Sequence, residues 1–237
     1  MKKLTNNWWL VVAAVLLCHA PAVLADSVTL TSGGGNIVDG IYMGPYYATV
    51  NGVANTPVIC DDFKDESYVP ESWSASVSSI ASPSGTFFSG QQNYDAVADL
   101  ASQLFATSNK TTDADLQFAI WYIFDPTDVT NWLDSYSDST TLGAAESLAG
   151  TAEGLAYTPG EFANYDILTP NGSMTCSTTS GEACPPQEFI VQTPEPGTFV
   201  MLGFGLLMLA ILAGRKWIVA PSRSQQAVEK NRAGHSL

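Results

Sequence analysis

The chain has 237 residues, 23 acidic side chains against 9 Lys and Arg, and a net charge of −14. Between residues 26 and 192 the imbalance is steeper: all acids except Glu195 and Glu229 lie there, 21 in number, and the only bases are Lys64 and Lys110, a net −19. Such a field repels phosphates and anionic lipid, which excludes nucleic acid as a partner. Neither histidine, His19 nor His235, falls in this stretch, so His-based triads and His zinc sites are excluded too.

The N-terminus reads as a signal peptide over 1–25. Met1-Lys2-Lys3 is basic, Trp8 to Cys18 is an uncharged apolar run, and Val23-Leu24-Ala25 offers small residues for a cut before Asp26. The apolar core is shorter than the roughly 20 residues of a spanning helix.

The first part of the ectodomain reads as β. Ser27 to Thr31 is a short strand, broken by Gly33-Gly34-Gly35. Ile41 to Val50 is rich in Tyr and β-branched residues, and Asn51-Gly52 signals a hairpin into a strand at Thr56 to Cys60. Trp73 to Ile80 alternates apolar residues with serine, as a half-buried strand does.

Helices follow. Ser89 and Gln92 have capping-box spacing, and Tyr94, Val97, Ala98, Ala101, Leu104 and Phe105 recur at helical period. A second helix is expected from Thr112 or Asp113 to the break at Asp125-Pro126. It is apolar nearly all round, which marks a central buried helix. Residues 127 to 150 suggest one or two shorter, more exposed helices. Asn164 to Leu168 and Glu188 to Gln192 return to β. The expected fold class is α+β: a β-sandwich or barrel-like domain with an inserted helical subdomain over 26–192, plus a C-terminal single transmembrane helix.

The mature region holds Cys60, Cys176 and Cys184. In an oxidising compartment Cys176 and Cys184, flanking a short polar loop, are expected to pair. Cys60 is then left over. It ends the apolar run Pro57-Val58-Ile59-Cys60, just before Asp61-Asp62-Phe63. Gln117 is the polar residue of the most apolar helix, in Leu116-Gln117-Phe118-Ala119-Ile120-Trp121. A buried amide needs partners for its carbonyl and its NH2.

This pairing resembles the thioester domains of Gram-positive surface adhesins, which carry a Cys followed shortly by Asp and, later, a helix with Gln-x-Ala-Ile-Trp. Gln117, Ala119, Ile120 and Trp121 match in register, and Leu116 stands where that family usually has Thr. The resemblance implies a Cys60–Gln117 thioester, formed with loss of ammonia, that acylates a nucleophile on a surface partner. A thiolate is a strong nucleophile at neutral pH, but the acids around Cys60 would raise its pKa.

Asp61, Asp62, Asp65 and Glu66 could ligate Ca²⁺, although a solvated acidic loop is the simpler reading. Asp134 to Asp138 does not complete an EF-hand loop. No cofactor or metal is implied. A carboxylate pair acting on polysaccharide is the rival reading, with nothing in the sequence to select the pair.

The C-terminal end has its own logic. Pro194-Glu195-Pro196 precedes an apolar stretch over 197–214, about 27 Å of helix at roughly 1.5 Å per residue, against a hydrocarbon core of about 30 Å. Arg215 and Lys216 close it, and 217–237 forms a basic tail expected to stay in the cytoplasm. These three parts resemble the PEP-CTERM sorting signal, spanning 193–216. The resemblance implies an exosortase-type membrane protease as partner, membrane attachment through the C-terminal helix before processing, and cleavage near Pro196. It also implies inner-membrane transit, then the cell surface or an exopolysaccharide matrix. The function expected is a non-enzymatic exported surface or matrix protein, binding exopolysaccharide or another surface ligand.

Overall fold

A computed structural model describes residues 26–171, 174–175, 183–184, 186–193 and 203–207. Chain contacts divide it after Thr193, and the first unit carries the fold.

Six strands close into an antiparallel barrel. In chain order they are β1 (Asp26–Ser32), β4 (Tyr46–Val50), β5 (Val53–Cys60), β6 (Glu71–Ser79), β7 (Tyr165–Pro170) and β10 (Phe189–Gln192). Around the barrel they run β1-β4-β5-β10-β7-β6 and back to β1. Two small hairpins sit outside this ring: β2 (Asn36–Val38) with β3 (Ile41–Met43), and β8 (Met174–Thr175) with β9 (Ala183–Cys184). The expected single strand at 41–50 is therefore two, separated by Gly44-Pro45. Proline cannot donate to a ladder, so the strand breaks there. Asn51 and Gly52 turn the β4–β5 hairpin, both with positive φ (51° and 81°), as a type I′ turn requires.

Register assigns the two faces of the wall. Cys60 pairs with Phe189, Phe189 with Leu168, and Leu168 with Val77. Phe189 also touches Tyr46 of β4 and Trp73 of β6, with ring centroids 5.9 and 5.7 Å apart. Neither strand neighbours β10 in the ring, so these rings meet across the barrel interior. Cys60 belongs to that inward row. Ile59, Ile190 and Ile167 form the opposite row and are also fully buried. This wall is thus covered on both sides.

The cover is a helical insertion between β6 and β7: α1 (Gln91–Ala106), α2 (Lys110–Phe124), α3 (Pro126–Tyr136) and α4 (Ser139–Glu153). Helix α2 buries nine side chains and packs against α1, α4 and β5. It begins earlier than its acidic residues suggest. The Asn109 side chain accepts from the N–H groups of Thr111 and Thr112 and caps it. Helix α1 has no side-chain cap, and Gly90 stands at its N-cap, so Ser89 does not form the expected capping box. Helix α4 buries Thr141, Ala145, Ala149 and Ala152 and is more exposed than α2, as the sequence implied. The small residues allow close approach to α2.

The expected transmembrane helix over 197–214, and the membrane attachment built on it, are corrected. Among the described residues no helix is long and apolar enough to cross a membrane. In that stretch residues 203–207 are described, as helix. Five residues rise about 7.5 Å at ~1.5 Å each, against about 30 Å of hydrocarbon. The other positions of 197–214, the signal peptide 1–25, the motif residues Pro194, Glu195, Pro196, Arg215 and Lys216, and the tail 217–237 lie outside the described residues. So does Cys176; Cys184 closes β9 with its backbone opposite Met174.

Phe189 joins the rings from three strands, so Phe189→Ala should cost about 3–5 kcal/mol of stability, read by denaturant unfolding. A loss below 1 kcal/mol would show that the interior does not depend on this contact.

Candidate functional site

The end of β5 meets the middle of α2. Gln117 Nε2 donates to the Cys60 carbonyl at 2.7 Å, and Gln117 Oε1 accepts the Gly44 N–H at 3.2 Å. Both Cys60 and Gln117 are 0% exposed. The amide that the sequence marked as needing partners finds them at the end of β5 and in the turn between β3 and β4. Gly44 admits it closely: a Cβ built there would lie 2.5 Å from Oε1.

Cys60 is a free, buried cysteine. Its Sγ donates to the Asp62 carbonyl at 3.0 Å. Burial pushes the thiol pKa well up, and the Asp62 and Asp61 carboxylates push it further. Trp121 opposes them, its indole N–H favouring the thiolate. The buried Nε1 itself makes no hydrogen bond. A buried donor left unpaired costs about 1–3 kcal/mol. Phe63 and Phe118 hold the indole, with centroids 5.1 and 5.3 Å away.

A cleft of about 320 Å³ reaches this region. Tyr46 and Trp121 line it beside Phe63, Trp132, Asp65 and Gln187. Cys60 and Gln117 themselves do not line it.

A second polar cluster lies on the other side of the wall. Asp61, Glu188 and Thr169 continue the outward Ile59, Ile190 and Ile167 row at the two-residue period of a strand. Glu188 accepts from the Tyr94 hydroxyl at 2.7 Å, the Phe87 N–H at 3.0 Å and the Thr169 hydroxyl. Both Asp61 oxygens lack a donor. Burial, then the charges of Glu188 and Asp62, raise the Asp61 pKa well above the usual range. The raised pKa favours the neutral, protonated form of Asp61 beside the Glu188 charge. Sequence reasoning missed Glu188; its place two residues before Ile190 in a buried strand was the available signal.

Of the four acids proposed for Ca²⁺, Asp61 therefore faces away from the other three. Asp62 folds its Oδ1 back onto the N–H groups of Lys64 and Asp65, at 2.9 and 3.2 Å. Glu66 accepts from the Tyr68 hydroxyl. Among the described residues no group of three or more His, Cys, Asp or Glu side chains is arranged to hold a metal ion. Asp134 to Asp138 joins α3 to α4, where Asp138 caps α4 through Thr141.

Comparison with known proteins identifies one segment. Residues 192–216 match the PEP-CTERM protein-sorting motif. The chain is an exported protein, sorted to the cell surface or extracellular matrix by the PEP-CTERM/exosortase route. No curated protein matches the chain. Among solved structures, the N-terminal domain of the Streptococcus pyogenes pilus tip adhesin Cpa is similar, at 13% identity and a TM-score of 0.39. That alignment covers 74% of this chain and 97% of that one. The likeness is too loose to carry an argument.

Asp62 gives a test of the site's electrostatics. Burial, then the Asp65 charge, raises its pKa to about 6 from about 3.9 for a free aspartate. The folded state therefore binds this proton more tightly than the unfolded chain. Its contribution is fully present below about pH 4 and is lost as pH rises through about 6. Asp61, Asp65, Asp125 and Glu188 are raised in the same sense. The thermal midpoint should thus be higher at pH 5 than at pH 7. Asp62→Asn keeps the Oδ1 acceptor and should narrow that gap by raising the pH 7 value. Stability that climbs from pH 5 to pH 7 would refute this assignment.

Proposed function

We propose that the exported domain is a covalent attachment module, whose Cys60 sulfur and Gln117 side chain form an internal thioester. The observation that carries this reading is the hydrogen bond from Gln117 Nε2 to the Cys60 carbonyl, 2.7 Å across 57 residues of chain. It supports the reading because the two residues it joins, both buried, carry a free thiol and a carboxamide. In this reading Cys60 displaces ammonia from Gln117, and the acyl group waits in the interior, shielded from water. An external nucleophile entering by the aromatic cleft then takes the acyl group, which fixes the protein to its surface or matrix partner. The protein is consumed rather than turned over, so it acts as an adhesion module and not as an enzyme.

The sorting motif supplies the setting. Exosortase processing near Pro196, with transit of the inner membrane, would deliver the domain to a surface or exopolysaccharide layer. A disulfide between Cys176 and Cys184 would leave Cys60 free for the acyl bond. A polysaccharide hydrolase would need a carboxylate pair open to substrate. One close pair, Asp61 and Glu188, is buried and so closed to substrate.

Intact mass of the mature protein tests the proposal. The expected mass is one ammonia below that of the processed sequence, and methylamine should convert it to a covalent adduct. Cys60→Ala and Gln117→Ala should each abolish both effects. A full sequence mass that methylamine leaves unchanged would refute the thioester.

A further inference from the structure

Gln117 and Trp121 stand four residues apart in α2, so they leave the helix on one face, one turn apart. The first reaches the backbone of Cys60 and Gly44; the second, buried, favours the Cys60 thiolate. The Gly44 N–H already points at Gln117 Oε1, and glycine leaves that oxygen room that any Cβ would remove. The Trp121 N–H is buried and unpartnered, and an indole nitrogen can only donate. One donor, the Gly44 N–H, thus lies on the oxygen whose charge changes during acyl exchange, and a second, the Trp121 N–H, is left without a partner.

We propose that these donors are catalytic: the Gly44 N–H stabilises the oxyanion on Gln117, and the Trp121 N–H stabilises the Cys60 thiolate. The inference rests on the thioester reading and adds to it how the bond forms and breaks. In formation, sulfur adds to Gln117 Cδ and the carbonyl electron pair moves onto Oε1, where the Gly44 N–H holds it. The intermediate collapses, the C–N bond breaks, and ammonia leaves with the thiol's proton. In attachment, an incoming amine or hydroxyl adds to Cδ and again charges Oε1. The C–S bond then breaks, and the electron pair leaves on sulfur, facing the indole N–H. The nucleophile's proton ends on the thiol. No oxidant or reductant takes part. Donors fixed before reaction, in a site closed to water, act on charge that exists only in the transition state.

A second role for Trp121, shielding the acyl group from water, predicts the opposite sign in one experiment. Trp121→Phe keeps most of the ring and removes the N–H. If the N–H is a donor, the variant should react with methylamine roughly tenfold or more slowly, and its spontaneous hydrolysis should slow as well. If the ring is only a shield, hydrolysis will quicken while aminolysis holds. Thermal midpoints within a few degrees of the parent would show that the fold is kept. Gly44→Ala is the second variant: its Cβ would displace Oε1, so the ammonia deficit should appear slowly or not at all.

The outcomes separate. A parent protein with the deficit, and variants that match it in rate, would overturn the donor assignment and leave the thioester standing. A parent protein with no deficit would overturn both.

Discussion

A single carboxamide ties the two halves of this domain together. Gln117 comes from the helical insertion, and its partners, the Cys60 carbonyl and the Gly44 N–H, come from the barrel and its entrance. Both hydrogen bonds are buried, so neither can be exchanged for water without exposing the interior. Leaving such a group unpaired would cost about 1–3 kcal/mol. The register of α2 over the barrel is therefore fixed at this point. The placement of Trp121, one turn along, follows from it, and so does the floor of the cleft.

The two-residue period of a strand does the rest of the sorting. Cys60 faces the barrel interior with Phe189 and Tyr46; Asp61, its neighbour, faces the helices with Glu188 and Thr169. A shift of one residue would exchange a thiol for a carboxylate on the inner face. The acids still act on the thiol through space and raise its pKa. That raises the energy of the thiolate and slows any reaction through it, unless a donor compensates. The buried, unpartnered Trp121 N–H is the donor proposed for that role.

Much of this was legible from the sequence. The alternation at 73–80, the Asn51-Gly52 turn and the all-round apolar character of 110–124 place the barrel strands and the central helix. Cys60 and Gln117 stood out because each lacked an obvious partner in its own segment. Their meeting depends on long-range strand pairing, which local pattern does not encode. The Gly44 contact was hidden for a related reason: Gly44-Pro45 reads as a turn, and only the tertiary structure reveals what the missing side chain makes room for. Glu188 escaped notice because one acid among 21 in a strand carries no local mark. The C-terminal apolar run illustrates the opposite error. Hydropathy suggested a spanning helix, and the described helix there covers 203–207.

The central claim is a distance. A high-resolution crystal structure of the exported protein would measure the separation of Cys60 Sγ and Gln117 Cδ directly. The account predicts continuous density between the two atoms, at the length of a carbon–sulfur single bond, with the Gly44 N–H still on the Gln117 oxygen. Side chains on separate faces of the wall, with water or another residue between them, would contradict it.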